Sequence, residues 1–271
     1  MVRNGSGGVT SDGQDRQVFD HAHIVGVDYA EQGLKGFTAI GSTFTRCSFD
    51  GLRLKGASFG AGMEQTTYVD CTFDNAQISG SAGFSRFVNC DFRGTRISNL
   101  VTDYWELIGC RFTGFIKSIT FWGAPPPGSA NSYASNVRWL EREGKAEPPG
   151  YRDLALRPIN VIDRNDFSGA SFSDVAFRRG VDLSRQRLPD SSDYLYVPGA
   201  EQALLKALEE ISSGAAHDET GLSESMIRSM MEREVTAGQK QFFLREADYA
   251  RKGVIPQYVK TVFELLRQGS R

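Results

Sequence analysis

Asn89-Cys90-Asp91-Phe92-Arg93-Gly94-Thr95-Arg96-Ile97 is one of four segments that fall into register when the chain is aligned on its cysteines. The others are Arg46-Cys47-Ser48-Phe49-Asp50-Gly51-Leu52-Arg53-Leu54, Asp70-Cys71-Thr72-Phe73-Asp74-Asn75-Ala76-Gln77-Ile78 and Gly109-Cys110-Arg111-Phe112-Thr113-Gly114-Phe115-Ile116-Lys117. Each cysteine stands two residues before a phenylalanine. In three of the copies an aliphatic residue follows the ring after five: Leu54, Ile78 and Ile97.

Worked outward, the step of five runs through Phe19, Ile24, Tyr29, Leu34, Ala39, Phe44, Phe49, Leu54 and Phe59 without a charged residue. It continues through Tyr68, Phe73 and Ile78, then Phe87, Phe92, Ile97, Thr102, Leu107 and Phe112, and returns at Ile162, Phe167, Phe172 and Phe177. Neither regular period accounts for it. Five helical steps of about 100° leave each residue about 140° from the last, and a strand sends alternate members to opposite faces. A chain that turns a corner every five residues keeps all of them inside. Two positions before the centres lie small residues: Ala22, Ser42, Cys47, Ala57, Cys71, Ala76, Cys90, Thr95, Cys110 and Ala170. Two positions after the cysteine-linked rings come Gly51, Asn75, Gly94 and Gly114, types that tolerate a left-handed corner, so one corner is expected to be stricter than the others.

This pattern resembles that of the pentapeptide-repeat proteins, and Asp166-Phe167-Ser168-Gly169-Ala170-Ser171-Phe172 is close to the family consensus. The resemblance spans residues 19–122 and 160–183. It implies a mainly β fold, a right-handed quadrilateral parallel β-helix with about 20 residues per coil. The expected central ladder is Phe44, Phe49, Leu54, Phe59, Phe73, Ile78, Phe87, Phe92, Ile97, Phe112, Phe167, Phe172 and Phe177; the expected small wall positions are Cys47, Ala57, Cys71, Ala76, Cys90, Thr95, Cys110 and Ala170. Each buried Phe or Leu contributes about 1.5–3 kcal/mol.

The cysteine intervals are 24, 19 and 20 residues. A deletion near 79–86 and a four-residue bulge near 60–65 put all four cysteines on one face, one rung of about 4.8 Å apart. A one-residue deletion within 60–67 instead moves Cys47 to the neighbouring face. The spacing accommodates both.

The chain divides by composition. Residues 1–18 read as a flexible Gly/Ser/Asp-rich tail and 19–122 as the β-helix. Residues 123–159 read as a Pro/Gly-rich excursion with one short helix near 134–142, and 160–183 as the final repeats. Residues 184–199 form a linker, and 200–271 a helical C-terminal region with helices at 200–212, 224–235, 239–251 and 256–267. Ser223 is the expected N-cap of the second and Gly253 the stop of the third. Val259, Val262, Phe263, Leu265 and Leu266 make a stripe that must pack on the coil end, on neighbouring helices or on a second subunit.

Composition excludes several function classes. With 40% hydrophobic and 24% charged residues the chain is an ordinary globular sequence, and 31 Lys+Arg against 33 Asp+Glu exclude a general nucleic-acid binder. No apolar run approaches the roughly 18 residues of a spanning helix, and residues 1–15 hold no secretory apolar segment. The expectation is a cytoplasmic protein with reduced thiols and no membrane contact.

Catalytic material is sparse. His21 and His23 flank Ala22 beside Asp20, too few ligands on one rung for zinc, and His217 sits with Asp218 and Glu219 in a polar stretch. A phosphate-binding loop and Cys-x-x-Cys are both missing. Asp163 with Asp166 is the nearest carboxylate pair for glycoside cleavage, but the strict step of five argues against the uneven coils that chemistry needs. No enzyme activity, cofactor or metal is expected.

The family resemblance also implies two partner classes. Some members imitate duplex DNA and protect type II topoisomerases (gyrase) from poisons, and members commonly dimerise through a C-terminal element. A rod of about 25 Å lies alongside about 15 DNA charges at one per 1.7 Å. Residues 16–122 carry 10 acidic and 10 basic residues, which disfavours full-length mimicry. The face of Phe49, Phe73 and Phe92 mixes Asp50, Asp70, Asp74 and Asp91 with Arg46, Arg93 and Arg111, and Asp91 with Arg111 is expected to form an ion pair between rungs. The next face carries Arg53, Lys55, Gln77 and Arg96, a small basic strip: an ordinary solvated wall on the simpler reading, a binding strip for an acidic partner on the other. The leading expectation is a non-enzymatic protein-interaction scaffold with an unidentified protein partner; topoisomerase protection is the alternative.

Overall fold

The stretch from Asn89 to Ile97 folds as two adjoining sides of one coil. In the computed structural model, residues 8–11, 16–34, 36–214 and 221–269 are described. The chain winds into a parallel β-solenoid of about five coils followed by C-terminal helices.

Strand pairing resolves the coil into four walls. On the first, Ile24, Phe44, Tyr68, Phe87, Leu107 and Ile162 stand in register. On the second, Tyr29, Phe49, Phe73, Phe92, Phe112 and Phe167 stack ring on ring, with centroids 4.9, 4.8, 4.8, 4.6 and 4.8 Å apart. That spacing matches the distance between neighbouring strands, so each coil stacks its ring on the one before. On the third, Leu54, Ile78, Ile97, Ile116 and Phe172 align. The fourth includes Phe59, Phe121 and Phe177, and all these centres are buried in one continuous core. Cys47, Cys71, Cys90 and Cys110 lie two residues beyond the paired row Thr45, Val69, Val88 and Ile108, so they occupy the same place on successive coils, buried and unbridged. Ala57, Ala76, Thr95 and Ala170 are buried small positions of the third and fourth walls.

Of the two registers open to the sequence, the chain adopts the one with a bulge. Ser58 pairs with Ser81 while Thr66 pairs with Ser85, so four extra residues lie between Ser58 and Thr66. One residue is lost at the corner between Ile78 and Gly80. A second residue is lost between Phe112 and Gly114, which brings Ile116 and not Lys117 into the third wall. Both shortened corners are built on glycine. A Cβ on Gly80 would stand 2.2 Å from the Ala57 carbonyl oxygen and one on Gly114 2.4 Å from that of Thr95, at φ of +127° and +96°.

Left-handed corners are more widespread than the sequence indicated. Gly51, Asn75 and Gly94 have φ of 69°, 57° and 63°, but so do residues at other corners: Arg46, Asp70 and Asn89 at 51–53°, and Asn99, Ser118 and Asp174 at 50–55°. The corner preceding each cysteine carries four residue types, so no single-residue signature marks it.

The segment expected as a tail contributes structure. Gly8–Ser11 pairs antiparallel with Arg16–Asp20, satisfying backbone groups that the first coil would otherwise leave at an open edge. The rest of that segment, residues 1–7 and 12–15, lies outside the described residues, as does His217.

The excursion holds two helices, Ser129–Arg142 and Tyr151–Ala155, where the sequence indicated one. It leaves from the corner between the fourth and first walls, the corner that also hosts the bulge, and the two are tied together. Tyr151 and Ala155 pack with Phe84 against Met63 and Tyr104. Buried Glu106 accepts from Gln65 Nε2 at 2.9 Å and from the Val161 amide at 3.2 Å, and faces Arg157 at 3.7 Å.

The C-terminal region caps the last coil. Residues 239–251 do not form the expected helix: Phe242–Arg245 is a strand paired antiparallel with Tyr194–Val197, a strand inside the expected linker. Its side chains alternate, Phe243 entering the solenoid core and Phe242 the helical cluster, which is strand and not helix logic. Buried Gln239 accepts from the amides of Gly180 and Val181 at 3.0 and 3.1 Å and donates to the Val181 carbonyl at 3.0 Å. Gln241 accepts from Leu183 N at 2.6 Å. Helices at Ala200–Ser212, Leu222–Met230 and Gln257–Gly269 complete the cap; the second begins after Gly221, with Ser223 buried inside it, and ends in a wide turn over Met231–Val235. Val259, Val262, Phe263, Leu265 and Leu266 are all buried within the chain.

Candidate functional site

The second and third walls adjoin at the corner Gly51, Asn75, Gly94, and their outward side chains differ sharply in charge pairing. On the second wall carboxylates and arginines interlock. The Asp74 amide donates to Asp50 Oδ1 at 2.7 Å and the Arg93 amide to Asp74 Oδ1 at 2.9 Å, so each aspartate binds the coil that follows. Arg93 reaches Asp74 at 2.9 Å and Asp91 at 3.3 Å, Arg111 approaches Asp91 at 4.0 Å, and Arg187 reaches Asp166 at 3.1 Å. This is a neutralised surface, not a row of free negative charge.

The third wall has no such network. Arg53, Gln77, Arg96 and Phe115 form one outward column by direct pairing. Lys55 and Ser79 follow Leu54 and Ile78, and Ser98 pairs with Lys117, making a second column. The outward positions from Arg53 to Ser173 carry no Asp or Glu, and among the described residues no ion pair involves Arg53, Lys55, Arg96 or Lys117. All four cations are exposed, and Phe115 beside them is 37% exposed. A groove of about 570 Å³ runs over this wall from Lys55 to Ser118.

Arg53, Lys55 and Arg96 were legible in the sequence; Phe115 and Lys117 were not. Cysteine alignment sets Lys117 level with Ile97, an inward position. The lost residue before Gly114 turns Ile116 in and both Phe115 and Lys117 out. A lysine at an inward position was itself the signal that the copy is one residue short.

The other candidate groups are engaged elsewhere. Asp163 contacts both Arg185 and Arg164, and the Arg185 hydrogen bond holds its carboxyl below the usual range. Asp166 accepts from the Ser168 hydroxyl at 2.6 Å and contacts Arg187. A carboxylate so held is a poor general acid. His21 lies between Asp20 and Glu64, at 2.6 and 2.7 Å, which raises its pKa chiefly through the Glu64 hydrogen bond and then that of Asp20. Among the described residues no three His, Cys, Asp or Glu side chains are grouped to hold a metal, and no helix is long and apolar enough to cross a membrane. Contact with the Cys71 thiol and burial push the Cys47 thiol far above its ordinary range; burial and the Cys110 thiol do the same to Cys90. Such thiols are poor nucleophiles. A cavity of about 250 Å³ between the last coil and the cap is lined by Arg178, Glu234, Arg245 and Asp248, which pair with one another as Arg178–Glu234 and Arg245–Asp248.

No family model matches the chain, and no curated protein matches it in sequence. Among solved structures, full-length QnrB1, a plasmid-mediated fluoroquinolone resistance protein, matches over 62% of this chain and 89% of its own at 16% identity, with a TM-score of 0.20. A likeness this loose carries no function across.

Proposed function

We propose that the chain is a non-enzymatic protein-interaction scaffold of pentapeptide-repeat type, and that its third wall is the docking face. The observation that carries this reading is the contrast in charge pairing: Arg93 and Arg111 of the second wall meet aspartates, while among the described residues Arg53, Lys55, Arg96 and Lys117 of the third meet none. A solenoid packed with side chains along its axis offers rigid walls, and a wall of unneutralised cations attracts an acidic protein surface. Four unbridged buried thiols fit a reducing, cytoplasmic setting.

Affinity capture from the source cell tests the scaffold reading. The intact protein is expected to retain a specific partner, Arg96→Glu with Lys117→Glu to lose it, and Arg93→Glu to keep it. Retention by all three, or by none, contradicts it. The topoisomerase reading gains nothing from the second wall, where Asp74 and Asp91 both contact Arg93. Gyrase supercoiling assays with a quinolone are expected to show neither binding nor protection at micromolar protein. A homodimer would need a surface other than the C-terminal apolar stripe, which the chain buries itself.

A further inference from the structure

We infer that the groove of the third wall receives an extended acidic polypeptide segment lying along the coil axis. This rests on the scaffold reading and names the chemistry of its partner. The groove follows one outward column of the wall. Lys55 and Lys117 stand at its two ends in one column, and the rungs between them carry only Ser79 and Ser98. Gln77, Arg96 and Phe115 line its side. Its volume of about 570 Å³ falls within the range of ligand-binding clefts, about 300–1,000 Å³.

The dimensions select an extended chain. Lys55 and Lys117 are three rungs apart, about 14 Å at the interstrand spacing, and an extended polypeptide covers that in about four residues. Carboxylates about four residues apart then reach the two ammonium groups, while Arg96, midway along the side, offers a forked guanidinium to a third. The serine hydroxyls offer hydrogen bonds to the segment's backbone, which the solenoid's own paired strands do not. Phe115, next to Arg96 and Lys117, supplies one apolar contact.

The neighbouring wall adds nothing for a wider occupant. A duplex nucleic acid wider than the third wall would overhang the second, where Arg93 and Arg111 already meet Asp74 and Asp91 and the surface gives its phosphates no net attraction. Single-strand binding adds base stacking on a series of aromatic platforms to its electrostatic attraction, and among the described residues this wall exposes one aromatic, Phe115. A narrow acidic peptide meets the cations within the width of the third wall.

Fluorescence anisotropy with the full-length protein tests this, using fluorescein-labelled hexaglutamate, hexaserine and hexathymidylate as probes. Hexaglutamate is expected to bind tightest, and more weakly as salt shortens the screening length below about 8–10 Å. Lys55→Glu with Lys117→Glu is expected to weaken it about tenfold or more, from two lost pairs and the repulsion replacing them, and Lys55→Ala with Lys117→Ala by somewhat less. Arg93→Glu, on the other wall, is expected to stay within about twofold. Equal binding of hexaglutamate and hexaserine, insensitivity to the lysine variants, or tighter binding of hexathymidylate overturns the inference. Wall-dependent capture of a cellular partner without hexaglutamate binding would sink the acidic-peptide assignment and leave the scaffold standing; peptide binding without any captured partner would do the reverse.

Discussion

The second and third walls of the solenoid are consecutive sides of the same coils, one floored by stacked phenylalanine rings and the other by aliphatic side chains, and their outer surfaces follow opposite rules. The second wall interlocks its charges: Asp50 and Asp74 bind amides of the following coil, and Arg93 bridges two aspartates. On the third, Arg53, Lys55, Arg96 and Lys117 form no ion pair among the described residues. The difference teaches that the ladder fixes only the inward side chains. What each wall displays is free to vary, so charges pair between coils on one side, while the other presents the cations on which the proposed docking face rests.

Core variants should erase the distinction. Phe92 is buried between Phe73 and Phe112 at 4.8 and 4.6 Å, and Ile97 occupies the same coil of the third wall. In denaturant titrations Phe92→Ala is expected to cost about 3–5 kcal/mol and Ile97→Ala about 2–5 kcal/mol. Losses no larger than those of surface variants would place these side chains outside the core. Next in size is Gly114→Ala, at the shortened corner between the two walls: its Cβ would collide with the Thr95 carbonyl, and about 1–3 kcal/mol is expected to be lost. A neutral result would mean that the third wall's register, and with it the outward placement of Phe115 and Lys117, is wrong.

Surface substitutions then separate the walls. Arg93→Ala is expected to lower stability by about 0.2–1 kcal/mol, while Arg96→Ala on the unpaired wall is expected to lie below that range or to be slightly stabilising. Equal losses would mean that Arg96 has a partner after all. The smallest effect concerns acid. Asp163, beside Arg185, has a folded-state pKa below its unfolded value, so its contribution is present above the ordinary carboxylate range and is lost as pH falls through the lowered value. Asp163→Asn is therefore expected to flatten the acid limb of a stability–pH curve, by under about 1 kcal/mol for so exposed a pair, whereas the third wall has no carboxylate to titrate there. An unchanged acid limb would remove that ion pair from the account.

The fold class was legible because packing enforces it: any charged or bulky exception to the five-residue step would disrupt a narrow core, so the rings at Phe49, Phe73 and Phe92 recur visibly. Features set by backbone length were harder to read. The residue lost before Gly114 leaves no mark except a lysine where an aliphatic residue belongs, and that hid Phe115 and Lys117 from the basic strip. The strand at Phe242–Arg245 was hidden for another reason. Gln239, Gln241 and Phe243 are spent on closing the last coil, a long-range demand that outweighs the helical look of residues 239–251. Left-handed corners such as Arg46 and Ser118 were also out of reach, since the residues there are not the types that usually signal one.

Site-specific photocross-linking in the source cell addresses the contrast between the walls most directly, with benzoylphenylalanine placed at Phe115 on the third wall and at Asp50 on the second. A discrete cross-linked protein partner is expected from position 115 and none from position 50. Cross-links of equal yield from both positions, or from position 50 alone, would contradict it.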